Sequence, residues 1–216
     1  MYSQKHILII GGMGPQASVH AHKKLLEAYQ GGTVNSAYPR ITHLSINVDD
    51  FISDPTQRDV SKRYILDCIK DVNVSSIDDG FIACNTAHLL FDDIQEAVEG
   101  KLTSMVEVTK KYVANKKIGL VATPLTVHSN LYGGNIIYPK RKNLDHIEYI
   151  IRKAISGSSA ESLVHDLEAE IKELRLRGAE KVVLGCSELS MIGSNLDLDY
   201  IIDPIDLVID SIVKKR

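Results

Sequence analysis

The chain has few cysteines and little net charge, and both facts exclude common classes of protein. Its 216 residues include only Cys68, Cys84 and Cys186, and no two of them form a Cys-x-x-Cys pair. This spacing predicts neither a disulfide framework nor a zinc site. The net charge of −3 gives no reason to expect nucleic acid or an acidic membrane as a partner.

Long hydrophobic runs are also lacking. The N-terminus leads directly into an apolar strand at residues 5–10, without the pattern of a signal peptide, and no segment is long enough to span a bilayer. Apolar residues make up 44% and charged residues 25% of the chain, which is ordinary for a globular protein. We therefore expect a cytoplasmic enzyme with one large or two modest domains.

The most informative stretch is residues 80–90, which read Gly-Phe-Ile-Ala-Cys-Asn-Thr-Ala-His-Leu-Leu. A short apolar run reaches Cys84, and small polar residues then begin a helix. In this way a buried parallel strand brings a reactive side chain to its carboxyl end, where open α/β sheets bind ligands. Residues 181–189 repeat the pattern around Cys186, so we expect the two cysteines to share one active site.

The two halves of the sequence repeat one another. Each begins with an apolar strand and a turn, and each later has an apolar strand that ends in a cysteine. The predicted fold class is α/β, with two pseudo-symmetric domains, each a parallel sheet flanked by helices, and an active site in the interdomain cleft. We assign residues 1–103 plus 204–216 to the first domain, with Cys84, and residues 104–203 to the second, with Cys186.

A glycine-rich turn follows the first strand, with the sequence Gly-Gly-Met-Gly-Pro at residues 11–15. Glycines between a strand and a helix let a ligand approach the positive end of the helix. The spacing is not that of a dinucleotide fingerprint, and no acidic residue follows at a suitable strand end. The turn therefore indicates a small-anion site rather than a dinucleotide site.

The third cysteine lies in a predicted helix at residues 56–72. Val60, Tyr64, Cys68 and Val72 recur at intervals of four, which places them on one face. We interpret that face as buried and Cys68 as a core residue.

Two facing thiols can perform acid–base chemistry. A thiolate is a competent base, and its pKa falls at a helix N-terminus. One ionised and one protonated thiol can remove a proton from one side of a carbon and return a proton to the other side. The alternative interpretation is that both cysteines are ordinary buried core residues.

These motifs resemble those of the aspartate/glutamate racemase superfamily. The sequence Cys-Asn-Thr-Ala-His at residues 84–88 looks like its first cysteine signature, and Gly-Cys-Ser-Glu-Leu at 185–189 resembles its second. Residues 10–15 are similar to the opening of the aspartate racemase branch. Thr123, with Thr126, Ser129 and Tyr132, matches the loop of the second half. The resemblance implies an amino-acid racemase without a cofactor, two pseudo-symmetric α/β domains and a homodimer.

The resemblance also implies a role for individual residues. Cys84 and Cys186 would be the two acid–base groups. The substrate carboxylate and ammonium would be held, and the pocket lined, by Met13, Asn47, Asn85, Thr86, Thr123 and Ser187. Gly12, His88 and Glu188 would support the site, His88 by orienting or acidifying the Cys84 thiol. Glu188 stands where glutamate racemases tend to have histidine, which points to the aspartate racemase branch.

The sequence departs from that branch in its basic residues. Family aspartate racemases often carry an arginine shortly after the Asn47 position, where this chain has Val-Asp-Asp-Phe at 48–51. A lysine common in the family is replaced by His146, which we expect to contact the distal carboxylate of a substrate instead. The reaction type is unaffected by these changes, but they weaken the recognition of aspartate.

Three functions fit these motifs. The first is racemisation of an amino acid, aspartate or another acidic one, using two cysteines and neither metal nor pyridoxal phosphate. The second is a cysteine isomerase of the same fold, similar to maleate isomerase or hydantoin racemase, in which one thiol adds to the substrate. The third is a ligand-binding relative that does not catalyse. Exchange of the Cα proton for deuterium would separate them.

Overall fold

A computed structural model describes residues 5–29, 38–48, 55–72, 76–196 and 198–214. Within these ranges, no helix combines the length and the apolar character that crossing a membrane requires. The stretch at residues 49–51, where the basic contact to a distal carboxylate is replaced, lies outside the described residues.

The strands form two parallel sheets of four. The first has the order β2-β1-β3-β4 and contains β1 (His6–Gly11), β2 (Arg40–Ser45), β3 (Ile77–Ile82) and β4 (Gly100–Leu102). The second has the order β6-β5-β7-β8 and contains β5 (Ile118–Ala122), β6 (Ile136–Ile137), β7 (Lys181–Gly185) and β8 (Ile201–Ile202). The strand order is the same in both sheets, which confirms the predicted α/β fold with two similar halves.

Helices flank both sheets. Those of the first half of the chain are α1 (Pro15–Ala28), α2 (Arg58–Asp71), α3 (Phe91–Ala97) and α4 (Met105–Tyr112). Those that follow are α5 (Pro124–His128), α6 (Arg141–Ile155), α7 (Ala160–Leu176), α8 (Ser187–Gly193) and α9 (Pro204–Val213). Short 3-10 helices at Pro55–Gln57 and Thr86–Leu90 precede α2 and α3.

The central strands read as continuous apolar runs because they are buried on both faces. Every residue of β1 and of β5 is buried, as expected for parallel strands covered by helices on two sides. The C-terminal helix α9 returns to the first sheet, where Ile205 and Val208 pack in one cluster with Ile7, Ile9 and Phe81. Leu207 of the same helix packs against the cluster of Ile118 and Val183 in the second sheet, so the assignment of residues 204–216 to the first domain stays a prediction.

The two signature cysteines follow equivalent strands. Cys84 comes two residues after the end of β3, and Cys186 comes directly after β7. Each of these strands pairs with the first strand of its own sheet, β1 or β5. Because the carboxyl ends of parallel strands lie at one edge of a sheet, both thiols are delivered to the ligand-binding edge of their own half.

The interpretation of α2 is wrong. Val60, Tyr64 and Val72 are 48%, 43% and 40% exposed, and Cys68 is only half-buried. The buried row is the adjacent one, with Ser61, Ile65 and Ile69. Both rows have the four-residue spacing, and the row that carries two isoleucines is the one that the sheet buries. Periodicity alone did not separate them.

Candidate active site

The Cys84 thiol is buried at the start of the 3-10 helix Thr86–Leu90. Burial, with the negative charge of Glu188 as a second cause, raises its pKa to about 12. The backbone N–H groups of Ala87 and Thr86 act in the opposite direction, because they donate to the sulfur and stabilise the thiolate. Cys84 is therefore a neutral thiol at neutral pH.

The Cys186 thiol is held by a carboxylate. Its Sγ donates a hydrogen bond to Glu188 Oε2 at 2.9 Å. Burial raises the pKa of Cys186 well above its ordinary value, and the charge of Glu188, its hydrogen bond and the charge of Cys84 raise it further. Because one carboxylate acts on both sulfurs and the sulfurs act on one another, the two thiols belong to one electrostatic unit.

The expected fall in thiol pKa at a helix N-terminus is therefore wrong. Backbone N–H groups do lower the pKa of each sulfur, but desolvation and the Glu188 carboxylate outweigh them. The sequence correctly predicts backbone N–H groups close to each sulfur. It does not reveal that Glu188 lies beside both thiols, because this depends on how the two halves meet.

Glu188 lies against the glycine turn of the first half. A Cβ atom on Gly14 would be 1.6 Å from Glu188 Oε1, so only glycine leaves room for the carboxylate there. Gly14 also has a φ of 93°, in the region that favours glycine. Burial raises the pKa of Glu188, and Oε1 has no hydrogen-bond partner among the described residues. The Glu188 carboxylate thus lies against the turn without accepting a hydrogen bond through Oε1, and the anion site at the turn stays a prediction.

Gly12, the other predicted supporting residue of this turn, has a similar constraint. It also has a φ of 93°, and a Cβ atom would lie 2.3 Å from the backbone nitrogen of Ile46. The close approach holds the turn against the segment that follows β2.

Three buried threonine hydroxyls join the two halves. Thr86 Oγ1 lies 3.2 Å from Thr123 Oγ1 and 2.9 Å from Thr126 Oγ1. Thr123 also donates to Thr126 Oγ1 at 3.0 Å and caps the N-terminus of α5. Thr86 and Thr123, predicted from opposite halves, are therefore brought together.

Asn85 makes a second contact across the halves. Its Oδ1 accepts a hydrogen bond from the Tyr132 hydroxyl, and both residues are buried. Burial raises the pKa of Tyr132 well above its ordinary value, and the charges of Asp203 and Cys186 raise it further. Asn85 Nδ2 has no partner among the described residues. A buried amide donor without a partner is rare and marks a place where a ligand can accept a hydrogen bond.

Tyr132 and Thr126 are absent from the predicted site residues, although the sequence placed both in a matching loop. Their roles depend on side chains that reach from the second half to residues 85 and 86 of the first. The only local signal of such a role was the hydroxyl of Thr126, three residues after Thr123.

His88 does not touch the Cys84 thiol. Its Nδ1 lies 2.8 Å from the backbone oxygen of Cys84 and donates to it, and its ring stacks on Phe91. Burial lowers the pKa of His88 to about 4, so the ring is neutral at neutral pH. The expectation that His88 acidifies the thiol is wrong, because a neutral ring supplies no positive charge. It holds the backbone at Cys84 instead.

Three further predicted site residues differ in their burial and in their contacts. Ser187 is buried, and its Oγ donates to Glu188 Oε2 at 3.3 Å. Met13 is buried in the same core cluster as Cys84. Asn47 is exposed, where it accepts a hydrogen bond from Tyr64 at 2.9 Å and lines, with Val48 and residues of α2, a cavity of about 310 Å³.

His146 is not brought to the cluster. It lies on α6, 39% exposed, with Nδ1 2.8 Å from Glu170 Oε1 on α7. Its ring stacks on Tyr149 one turn away on the exposed side of the same helix. The basic turn next to it, at residues 140–142, includes Lys140, which pairs with Glu173. The structure therefore gives no support to the prediction that His146 contacts the substrate.

A comparison with known families places the chain. Residues 10–212 match the model of the Asp/Glu/hydantoin racemase family.

This protein belongs to the Asp/Glu/hydantoin racemase family.

Individual relatives are distant. The chain is 23% identical over 215 residues to the broad specificity amino-acid racemase RacX of Bacillus subtilis (strain 168), covering 93% of this chain and 90% of the relative. The aspartate racemase of Picrophilus torridus has the same fold, with a TM-score of 0.77 at 24% identity over 98% of this chain and 94% of that one. An aspartate racemase homologue from Pyrococcus horikoshii OT3 gives a TM-score of 0.76 at 21% identity, covering 98% and 99%.

Proposed function

We propose that this racemase-family protein inverts the Cα centre of an amino acid without a cofactor, by two-base proton transfer between Cys84 and Cys186. The observation that carries the proposal is the shared environment of the two thiols. They follow equivalent strands of two similar sheets, and the Glu188 charge acts on both.

The proton transfers balance without a redox partner. The Cys84 thiolate takes the Cα proton of one enantiomer and becomes a thiol, while the Cys186 thiol gives its proton to the opposite face and becomes a thiolate. The reverse reaction begins from the Cys186 thiolate. By family resemblance, Cys84 acts on the D-enantiomer and Cys186 on the L-enantiomer.

Substrate binding supplies the charge that the thiols need. Burial and the negative charge of Glu188 raise the pKa of both thiols. A substrate ammonium group near Glu188 would offset the negative charge and lower the pKa of each thiol. The unpaired, buried Glu188 Oε1 is the acceptor that the structure offers to such a group.

The substrate carboxylate fits the other side of the cluster. The unpaired Asn85 Nδ2 and the hydroxyls of Thr86 and Thr123 supply donors there. We propose that the substrate is aspartate or another acidic amino acid. Support for the acidic side chain comes from the family resemblance and the aspartate racemase signature around Glu188. Lys24 is engaged elsewhere, because it pairs with Asp203 at 2.9 Å and with Asp206 at 2.7 Å.

The test is a screen of D- and L-amino acids in D₂O, in which NMR follows the loss of the Cα proton signal. We expect exchange and the appearance of the opposite enantiomer for at least one amino acid, in the presence of a chelator and without a pyridoxal absorbance band. The matched control is Cys186→Ser. Addition of a thiol to a carbon–carbon double bond without Cα exchange would favour the maleate isomerase-like alternative. Binding of an amino acid without exchange would favour the non-catalytic relative.

A further inference from the structure

Outside the thiol cluster, two histidines meet between a helix and the edge of the first sheet. His22 is on α1 and His43 is on β2, the outermost strand of its sheet. Both side chains are half-buried. Their Nδ1 atoms are 3.3 Å apart, and the rings meet edge on, with centroids 5.3 Å apart and 78° between the planes.

At this distance one ring can donate a hydrogen bond to the other, with the direction set by the tautomers. The same distance matches two ligands of one metal ion. With zinc about 2.0–2.1 Å from each nitrogen and a tetrahedral angle between them, the nitrogens are about 3.3–3.4 Å apart. A square-planar ion would bring them to about 2.8–2.9 Å. The spacing therefore favours a tetrahedral ion over a square-planar one.

The protonation states also suit a metal. Burial lowers the pKa of both histidines, and the charge of His22 lowers the pKa of His43 further. Neutral imidazole is the form that binds metal. His43 Nε2 is buried, has no partner among the described residues and faces Gly11, where a Cβ atom would lie 3.4 Å away. Nδ1 is therefore the nitrogen of His43 that a ligand can reach.

We propose that His22 and His43 bind a tetrahedral divalent cation of the zinc class through their Nδ1 atoms. Within the described part of the chain, no group of three histidine, cysteine or acidic side chains is placed to hold a metal. The protein thus supplies two ligands, and water completes the coordination on the half-exposed side. When the ion binds, both rings carry their proton on Nε2.

The ion would fasten α1 to β2 beside the glycine turn. His22 lies one helical turn after Ser18, whose Oγ accepts a hydrogen bond from the Gly12 backbone N–H at 3.2 Å. His43 lies over Gly11, and the same glycine packs against Ser18. The two ligands therefore flank the segment that leads to Gly14 and Glu188.

The experiment is equilibrium dialysis of tag-free protein against Zn²⁺, with the metal bound per chain measured at each free concentration. The parent carries Cys84→Ser and Cys186→Ser, so that the paired thiols do not bind zinc. His22→Gln and His43→Gln remove one ligand each. His20→Gln is the matched control, because His20 is two residues from His22 and contacts Ser194 instead. Circular dichroism without zinc checks that each variant folds. If His43→Gln does not fold, His22→Gln still tests the proposal, because His22 is half-exposed.

We expect one zinc ion per chain in the parent and in His20→Gln. Affinity should be weaker by about ten-fold or more in His22→Gln and in His43→Gln, since each loses a direct ligand. The double variant should be little worse than either single one, because a chelate needs both rings. Equal zinc affinity in His22→Gln and His20→Gln, or no zinc bound by the parent, would overturn the proposal.

Discussion

The two halves share a strand order but differ two residues after each cysteine. The first half has Thr86 at this position, and the second half has Glu188. Each side chain reaches the opposite half: Thr86 contacts Thr123, and Glu188 lies against Gly14. The backbone pattern is repeated, but the equivalent position carries a neutral hydroxyl in the first half and a carboxylate in the second.

This difference makes the two thiols unequal. Two backbone N–H groups stabilise the Cys84 thiolate, and Glu188 acts on it through charge alone. Cys186 bears both the charge of Glu188 and a hydrogen bond to it. Cys84 is thus the easier thiol to ionise, and Cys186 is the one held protonated. In the proposed two-base mechanism, this difference makes Cys84 the thiol that more readily becomes the base.

The largest expected effect comes from removing either thiol. Cys84→Ser and Cys186→Ser should each lower racemisation by about 10³-fold or more, because the serine hydroxyl does not ionise at neutral pH. Chiral chromatography of the product from each pure enantiomer measures this. Half-buried Cys68→Ser is the matched control and should keep full activity. Normal racemisation in either signature variant would contradict the two-base mechanism.

The next effect tests a residue that only the first half has. His88 corresponds to Ser190 of the second half, which does not titrate. The pKa of His88 is about 4 in the folded protein and 6.5 ordinarily, so between these values the unfolded state binds more protons. Stability therefore falls as the pH falls from 6.5 to 4, by about 3 kcal/mol in total.

Urea unfolding at pH 6.5 and pH 4 measures this loss. His88→Gln should reduce it by about 3 kcal/mol, whereas His128→Gln, at an exposed position, should not change it. The same loss in His88→Gln as in the parent would show that the ring is not buried in its neutral form.

A smaller effect is expected at the Tyr132–Asn85 hydrogen bond, which joins the two halves. Tyr132→Phe removes the hydroxyl that donates to Asn85 and leaves a buried acceptor unpaired, at a cost of about 1–3 kcal/mol in the free energy of unfolding. Tyr138→Phe is the control, because it removes a similar bond to Asn130 on the surface. If both variants unfold at the same denaturant concentration, the bond across the halves adds no stability.

The smallest expected effect is at His146. His146→Lys should keep the contact with Glu170 and leave the affinity for a dicarboxylic amino acid unchanged, since His146 lies away from the thiol cluster. Isothermal titration at pH 6 and pH 8 measures the affinity. Binding that strengthens about ten-fold at pH 8 would restore the prediction that position 146 contacts a distal carboxylate.

The sequence predicts the features that local chemistry determines. Continuous apolar runs located the central strands, and polar residues after two of them located both cysteines. The burial of α2 was misread because two adjacent rows share one spacing. The short strand β4 and the helix α5 gave no pattern that we recognised.

The electrostatics of the site could not be predicted from local sequence patterns. The raised thiol pKa values come first from burial and second from the charge of Glu188, which acts on Cys84 from the other half. The Tyr132–Asn85 bond joins residues 47 positions apart. Such contacts depend on the packing of two domains, which a spacing rule does not encode.

The central claim is that Glu188 makes the two thiols unequal, and its most direct test follows both sulfurs in one titration. NMR of protein labelled with ¹³C at cysteine Cβ reports the ionisation of each thiol, whatever its exposure. In Glu188→Gln, the pKa values of both thiols should fall, that of Cys186 further than that of Cys84, because Cys186 loses a hydrogen bond to a carboxylate as well as a nearby charge. Glu170→Gln is the control, because it removes another buried carboxylate, whose partners are Asn143 and His146 on α6. An unchanged titration of Cys186 in Glu188→Gln, or an equal shift of both thiols, would contradict the account.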